Sequence, residues 1–169
     1  MFELKTIEDI DDLIDITKSD SGVQGVDLKN AHIRLGQKLA EYIEVESKDM
    51  TIVAVMRGGI FFAEGIYDVL GKKGAKFDVV FPGVEKYERP QSKYILIVDS
   101  VINTGKTIDP LIDEDTYLAC NVINEKAVNK YFDRLYAVRV SNNSYIGADI
   151  KIQKGNKGPD TTSRLFNQL

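Results

Sequence analysis

The sequence predicts an α/β fold: a mostly parallel central sheet with helices on both faces. Three observations predict it. Thr51–Met56, Ile95–Val98 and Tyr117–Ile123 are near-continuous apolar runs rich in β-branched residues, the pattern of strands covered on both faces. Each is followed by a segment of helical period, and strands alternating with helices imply parallel pairing through crossovers. At 169 residues, with 43% hydrophobic and 28% charged side chains, the chain suits one domain, residues 1–169, with its own core.

The elements follow in order. Residues 7–17 and 27–46 read as helices. In the second, Leu28, Ala31, Ile33, Leu35, Leu39 and Ile43 form a broad apolar face. Ser19-Asp20-Ser21-Gly22 between them is a loop without period. The strand Thr51–Met56 is broken by Gly58-Gly59, after which Ile60–Leu70 resumes as a helix ending at Gly71. Phe77–Phe81 is a short strand, and Pro82-Gly83 opens an irregular charged segment to Lys93. A strand begins at Tyr94. After its loop, a short helix from about Lys106 to Ile112 tolerates Pro110 in its first turn. Asp113-Glu114-Asp115 leads into the strand 117–123, then a helix over 125–132 and a strand over 135–140. The tail beyond Ser141 is rich in Asn, Gly, Lys and Thr and closes with Ser163-Arg164-Leu165-Phe166. There is no internal repeat, low-complexity tract or linker.

Composition excludes several functions. A net charge of −4 and a pI of about 5.1 argue against a nucleic-acid surface. No apolar run approaches the ~20 residues of a membrane span. The opening MFELKTIEDIDD is acidic and lacks the basic-then-apolar layout of a signal peptide, so a cytoplasmic protein is expected. One cysteine and one histidine allow no internal disulfide and no Cys/His zinc cluster. Cys120, inside a strand-like run, reads as a small buried residue. His32, in a charged helical segment, reads as a surface or partly buried residue.

The most informative stretch is Tyr94–Thr107, YILIVDSVINTGKT. A buried strand leads to an acid, Asp99, and then to a loop of small and hydroxyl residues opening onto a helix. N–H groups of a Thr-Gly turn can converge on one anion, and a helix N-terminus adds partial positive charge. Gly105-Lys106-Thr107 invites the P-loop pattern GxxxxGK[ST], but that needs glycine where this chain has Ser100, and Asp99 stands where no acid belongs. An ordinary buried strand entering a helix is the plain alternative. Met56-Arg57-Gly58-Gly59 forms a second constellation: glycines permit close backbone approach, and the guanidinium is a fork-shaped anion receptor. A tight turn with a surface arginine is the plain reading of that tripeptide. Both loops leave the carboxyl ends of predicted central strands, where ligands of parallel sheets bind.

Val98-Asp99-Ser100-Val101-Ile102-Asn103-Thr104-Gly105 resembles the ribose-phosphate loop of type I phosphoribosyltransferases, and strand-Arg57-Gly58-Gly59-helix resembles their pyrophosphate loop. Within that family the uracil phosphoribosyltransferases are most similar. Their Gly-x-x-Arg-Asp-Glu run aligns with Gly83–Glu88, placing Lys86 at the arginine. Gly158–Asn167 resembles their closing segment, with Asp160 on its first aspartate, Ser163 on the second and Arg164-Leu165-Phe166 on its Arg-x-Phe. The resemblance implies a type I phosphoribosyltransferase-like (Rossmann-like) fold with a small C-terminal base-recognition segment. It implies transfer of ribose 5-phosphate from phosphoribosyl diphosphate to a nucleobase, uracil or a related pyrimidine. It further implies Mg2+ bridging substrate oxygens, and a homodimer. Implied roles are Asp99 for ribose hydroxyls; Ser100, Ile102, Asn103, Thr104, Gly105, Lys106 and Thr107 for the 5′-phosphate loop; Arg57, Gly58, Gly59 and Lys86 for the diphosphate; and Asp160 for the base or a magnesium-bound water. The chain departs from the uracil enzymes in Arg-Gly-Gly for Arg-Ala-Gly, in Lys106 for a small residue, in the short segment between Phe81 and Tyr94, and in a tail that has lost glycines and one acid. The last two motivate an alternative: a non-catalytic module that binds a nucleotide or phosphoribosyl diphosphate as a regulatory signal.

Overall fold

The computed structural model describes residues 1–84, 86–144 and 150–169. The elements are β1 (Phe2–Glu3), α1 (Asp11–Thr17), α2 (Gly25–Ala40), β2 (Met50–Val55), α3 (Ile60–Leu70), β3 (Lys76–Val80), β4 (Tyr94–Ile102), β5 (Thr116–Asn124), α4 (Glu125–Tyr131), β6 (Leu135–Ser141) and α5 (Thr161–Leu165). The strands form one six-stranded sheet in the order β1-β6-β5-β4-β2-β3, and every pairing is parallel. The expected α/β architecture is therefore present, with the sheet parallel throughout.

The strand order positions the site. From β2 the chain steps outward to β3, then returns to place β4 on the other side of β2. The sheet's switch point lies between β2 and β4, where loops at the carboxyl ends diverge and leave a crevice. The register pairs Met50 with Tyr94 and Ala54 with Val98, so the two strands end side by side. Their apolar runs are buried on both faces. On one face Ile52, Ala54, Leu96, Val98, Ala119 and Val138 meet Ala31, Leu35, Leu39, Phe62, Ile66 and Leu70 of α2 and α3. On the other, Val53, Val55, Ile95, Ile97, Leu118 and Cys120 meet Ala127 and Tyr131 of α4. Cys120 is fully buried, and burial pushes its thiol well above the ordinary range, in keeping with a core residue.

Several boundaries differ from expectation. Strand β4 continues through Asp99 to Ile102, because Val101 and Ile102 pair with Val122 and Ile123 of β5. The helix expected from Lys106 to Ile112 is only a 3-10 turn over Asp109–Leu111. Pro110 lacks an N–H, and Asp113-Glu114-Asp115 would place three carboxylates at the negative end of a helix. Helix α2 stops at Ala40 for a related reason: Glu41, Glu44 and Glu46 would crowd its C-terminus and Ile43 and Val45 are β-branched. Helix α1 begins at Asp11, after a 3-10 turn over Leu4–Thr6. The edge strand β1 and helix α5 were not expected. His32 is fully buried, with Nδ1 2.9 Å from the Leu28 carbonyl, because α2 turns that face onto the sheet.

Candidate functional site

A cavity of about 220 Å³ opens at the switch point. Its first wall is the end of β2 and the turn after it, Val55 to Gly58. The Met56–Arg57 peptide bond is cis. Gly59 lies so close to the sheet that a Cβ there would stand 2.5 Å from the Val98 carbonyl oxygen and 2.9 Å from that of Val55. A Cβ on Gly58 would meet Thr162 Oγ1 at 2.8 Å and Asp99 Oδ1 at 3.7 Å. The two glycines thus bring the Arg57 turn against the end of β4 at a distance no side chain permits.

The second wall is β4 and its loop: Asp99, Ser100, Val101, Asn103 and Thr107. Asp99 sits half-buried at the floor. Burial pushes its carboxyl up to about 7, against the pull of the Ser100 and Val101 N–H groups, of which Ser100 donates to Oδ1 at 2.7 Å. Ser100 is 1% exposed, and its Oγ has no hydrogen-bond partner among the described residues. Ser100 is also among the residues lining the cavity, and an unpaired buried hydroxyl costs about 1–3 kcal/mol. The loop beyond is shaped around Gly105, which takes φ +79°. Its carbonyl accepts the N–H groups of Ile108 and Asp109, both at 2.9 Å, and the Tyr131 hydroxyl at 3.2 Å.

The third wall comes from the other end of the chain: Asp160, Thr161 and Thr162. Asp160 caps α5, its Oδ2 accepting the N–H of Ser163 at 2.7 Å and the Ser163 hydroxyl at 2.9 Å; Oδ1 takes no part in these two bonds. Arg164 anchors this wall. It is 1% exposed and donates to the carbonyls of Val23 and Thr17 and to the Ser21 hydroxyl. Tail and α2 entrance are thereby sewn together.

Of the residues singled out from sequence, Arg57, Gly58, Asp99, Ser100, Asn103, Thr107 and Asp160 line one cavity. Thr104 and Lys106 stand exposed on the same loop, where the Lys106 N–H meets Thr104 Oγ1 at 3.4 Å. Gly59 and Gly105 shape the two turns without lining the cavity. Ile102 points into the core beneath α4. Lys86 is exposed and lies outside the lining; its segment is tied by Tyr87 to the core and by Arg89 to Asp113 and to the carbonyls of Pro90, Ser92 and Lys93. Glu85 of that segment lies outside the described residues. Sequence reasoning missed Thr161 and Thr162, although the hydroxyl run Thr161-Thr162-Ser163 after an acid was the available signal. It also missed Tyr131, whose spacing says only that it packs beneath a helix. Among the described residues, no group of three or more His, Cys, Asp or Glu side chains could hold a metal by itself, and no helix is long and apolar enough to cross a membrane.

No protein-family model and no curated protein matches the chain. Solved structures do. A protein from Aquifex aeolicus superposes with a TM-score of 0.61 at 15% identity, over 76% of this chain and 81% of that one. A protein from Thermus thermophilus gives 0.50 at 15% identity, over 66% and 84%. A hypoxanthine-guanine-xanthine phosphoribosyltransferase gives 0.51 at 16% identity, over 78% and 87%. These superpositions show the fold: the chain shares the parallel α/β architecture of type I phosphoribosyltransferase structures.

Proposed function

We propose that this chain transfers ribose 5-phosphate from phosphoribosyl diphosphate to a ring nitrogen of a nucleobase, uracil or a related pyrimidine, and releases diphosphate. One observation carries the reading: Arg57 and Gly58 share a single cavity with Asp99, Ser100, Asn103 and Thr107 at the switch point of the sheet. A substrate with phosphate at one end, diphosphate at the other and a ribose between them matches that sequence of groups.

In this reading the C1–O bond to diphosphate breaks, the base nitrogen bonds to C1, and the proton of that nitrogen leaves to solvent. Positive charge builds on the ribose ring and negative charge on the leaving diphosphate. Asp99 accepts the ribose hydroxyls and, once ionised, opposes the ring charge in a setting of low dielectric. Arg57 takes the diphosphate, and the hydroxyls and N–H groups of Ser100 to Thr107 hold the 5′-phosphate, so catalysis is positioning and electrostatics. The donor set fits magnesium, which keeps waters and substrate oxygens and needs few protein ligands; Asp99 and, through water, Asp160 are the carboxylates available to it. When bound, the ion neutralises part of the diphosphate charge. The pyrimidine preference rests on the tail, where Asp160, Ser163 and Arg164-Leu165-Phe166 keep the order of the uracil enzymes' closing segment.

The test is incubation with phosphoribosyl diphosphate, Mg2+ and a panel of pyrimidines and purines, measuring diphosphate release and nucleotide formation. Release with a pyrimidine, abolished by Asp99→Ala in a folded variant, supports the reading. Release only with purines overturns the pyrimidine preference. Binding of phosphoribosyl diphosphate without release under every base overturns catalysis.

A further inference from the structure

Arg57 is exposed, yet it is not left to sample rotamers. Its Nη2 donates to Gln168 Oε1 at 3.0 Å, and its Cζ lies 4.9 Å from the Phe166 ring centroid. Phe166 in turn packs on Phe61 of α3 at 5.3 Å between centroids, and Lys29 Nζ of α2 lies 5.3 Å from the Phe61 centroid. The result is a ladder of cation, ring, ring and cation that runs from α2 to the Arg57 turn.

The end of the chain is built to deliver these contacts. Arg164 fixes α5 from below. Asn167 takes φ +53°, a left-handed conformation that asparagine tolerates better than most residues, and its side chain fills the space where Gly25 has no Cβ. That reversal returns the Gln168 N–H to the Ser163 carbonyl at 2.7 Å. The Gln168 side chain then reaches Arg57.

We infer that Phe166 and Gln168 are positioning residues: they hold the Arg57 guanidinium in place for the anion it receives. This rests on the diphosphate reading of Arg57 given above. A free arginine surrenders much rotamer entropy when it binds, and holding it beforehand lowers that cost. The contact with the Phe166 ring and the single bond from Nη2 to Gln168 engage only part of the guanidinium, leaving the other donors for the ligand.

Two measurements test it. The first needs no ligand: the 15N heteronuclear NOE of Arg57 Nε in the parent and in Phe166→Leu and Gln168→Ala. An ordered Nε in the parent that becomes mobile in both variants is expected, with amide spectra unchanged elsewhere. Unchanged order in the variants overturns the inference. The second is calorimetric binding of magnesium diphosphate. Each variant should bind roughly two- to tenfold more weakly, the range that corresponds to ordering one long side chain. In an Arg57→Ala background, Gln168→Ala should then have no further effect. An equal loss in that background shows that the tail acts elsewhere and overturns the inference. A parent that has an ordered Arg57 Nε but does not bind diphosphate refutes the diphosphate reading and leaves the positioning role of the tail standing.

Discussion

Asp99 makes the most discriminating prediction, because the carboxylate that lines the cavity should itself weaken the fold. Its carboxyl is pushed from 3.8 up to about 7, so between those values the unfolded chain is ionised while the folded chain still holds the proton. The unfolded state then binds fewer protons, and stability falls as pH rises through this window. About three decades of proton affinity at about 1.36 kcal/mol each set a ceiling near ~4 kcal/mol. Asp99 keeps part of its surface in water, which lowers the realised penalty to about 1–2 kcal/mol. Asp99→Asn preserves the shape and an acceptor for the Ser100 N–H but cannot ionise. We expect it to be more stable than the parent by about 1–2 kcal/mol at pH 8 and by roughly half of that at pH 4.5. Urea denaturation of both proteins at the two pH values checks this, in buffers free of phosphate and magnesium. A variant less stable than the parent at pH 8, or a difference independent of pH, would refute the burial argument. The same variant should lose turnover, the usual exchange of stability for function.

The remaining predictions concern the scaffold around that carboxylate. His32, held by burial at about 4, should make the fold lose about 1–3 kcal/mol as pH drops from 6.5 to 4; His32→Leu should flatten that slope in denaturation curves taken across the range. Gly105→Ala forces a side chain into φ +79° and puts a Cβ 1.8 Å from the Tyr131 hydroxyl. It should cost about 2–4 kcal/mol in chemical denaturation. Arg164→Met removes the anchor of α5 and strands the carbonyls of Val23 and Thr17, at about 3 kcal/mol. Near-UV circular dichroism should report the loosened Phe166 and Phe61 in that variant.

The two loops were legible in the sequence because their strands are. Ile95-Leu96-Ile97-Val98 and Thr51–Val55 carry a continuous apolar pattern that little else satisfies, and glycine or an acid immediately after such a run marks a carboxyl-end loop. The end of β4 was harder. Asp99 looks like a terminus, yet Val101 and Ile102 continue the ladder because β5 offers them Val122 and Ile123, a pairing that no local pattern announces. The one-turn helix after the loop shows the reverse case: the stop signals, Pro110 and three successive acids, were present and outweighed the phosphate-loop analogy. The loop after β4 is accordingly shaped by the turn at Gly105 and is not followed by an α-helix. His32 misled because its neighbours Lys29, Asn30 and Arg34 are polar, whereas burial is decided by the face of α2 it shares with Leu28 and Leu35. The third wall was read only as a weakened motif, since contacts such as Arg164 to Thr17, 147 residues apart, leave no trace in local sequence.

That long span has a consequence for how the molecule is made. Residues 55–58 and 99–107 can pair as soon as β2 and β4 have been synthesised, but the wall at 160–162 and the Gln168 contact to Arg57 belong to the last part of this chain to appear. At roughly 5–20 residues per second, the stretch from Thr107 to Gln168 takes about 3–12 seconds. Throughout that interval the nascent protein holds both cavity loops with neither the contact on Arg57 nor the wall at Asp160–Thr162. A ligand of this cavity therefore meets its complete set of contacts only in molecules whose synthesis has passed residue 168.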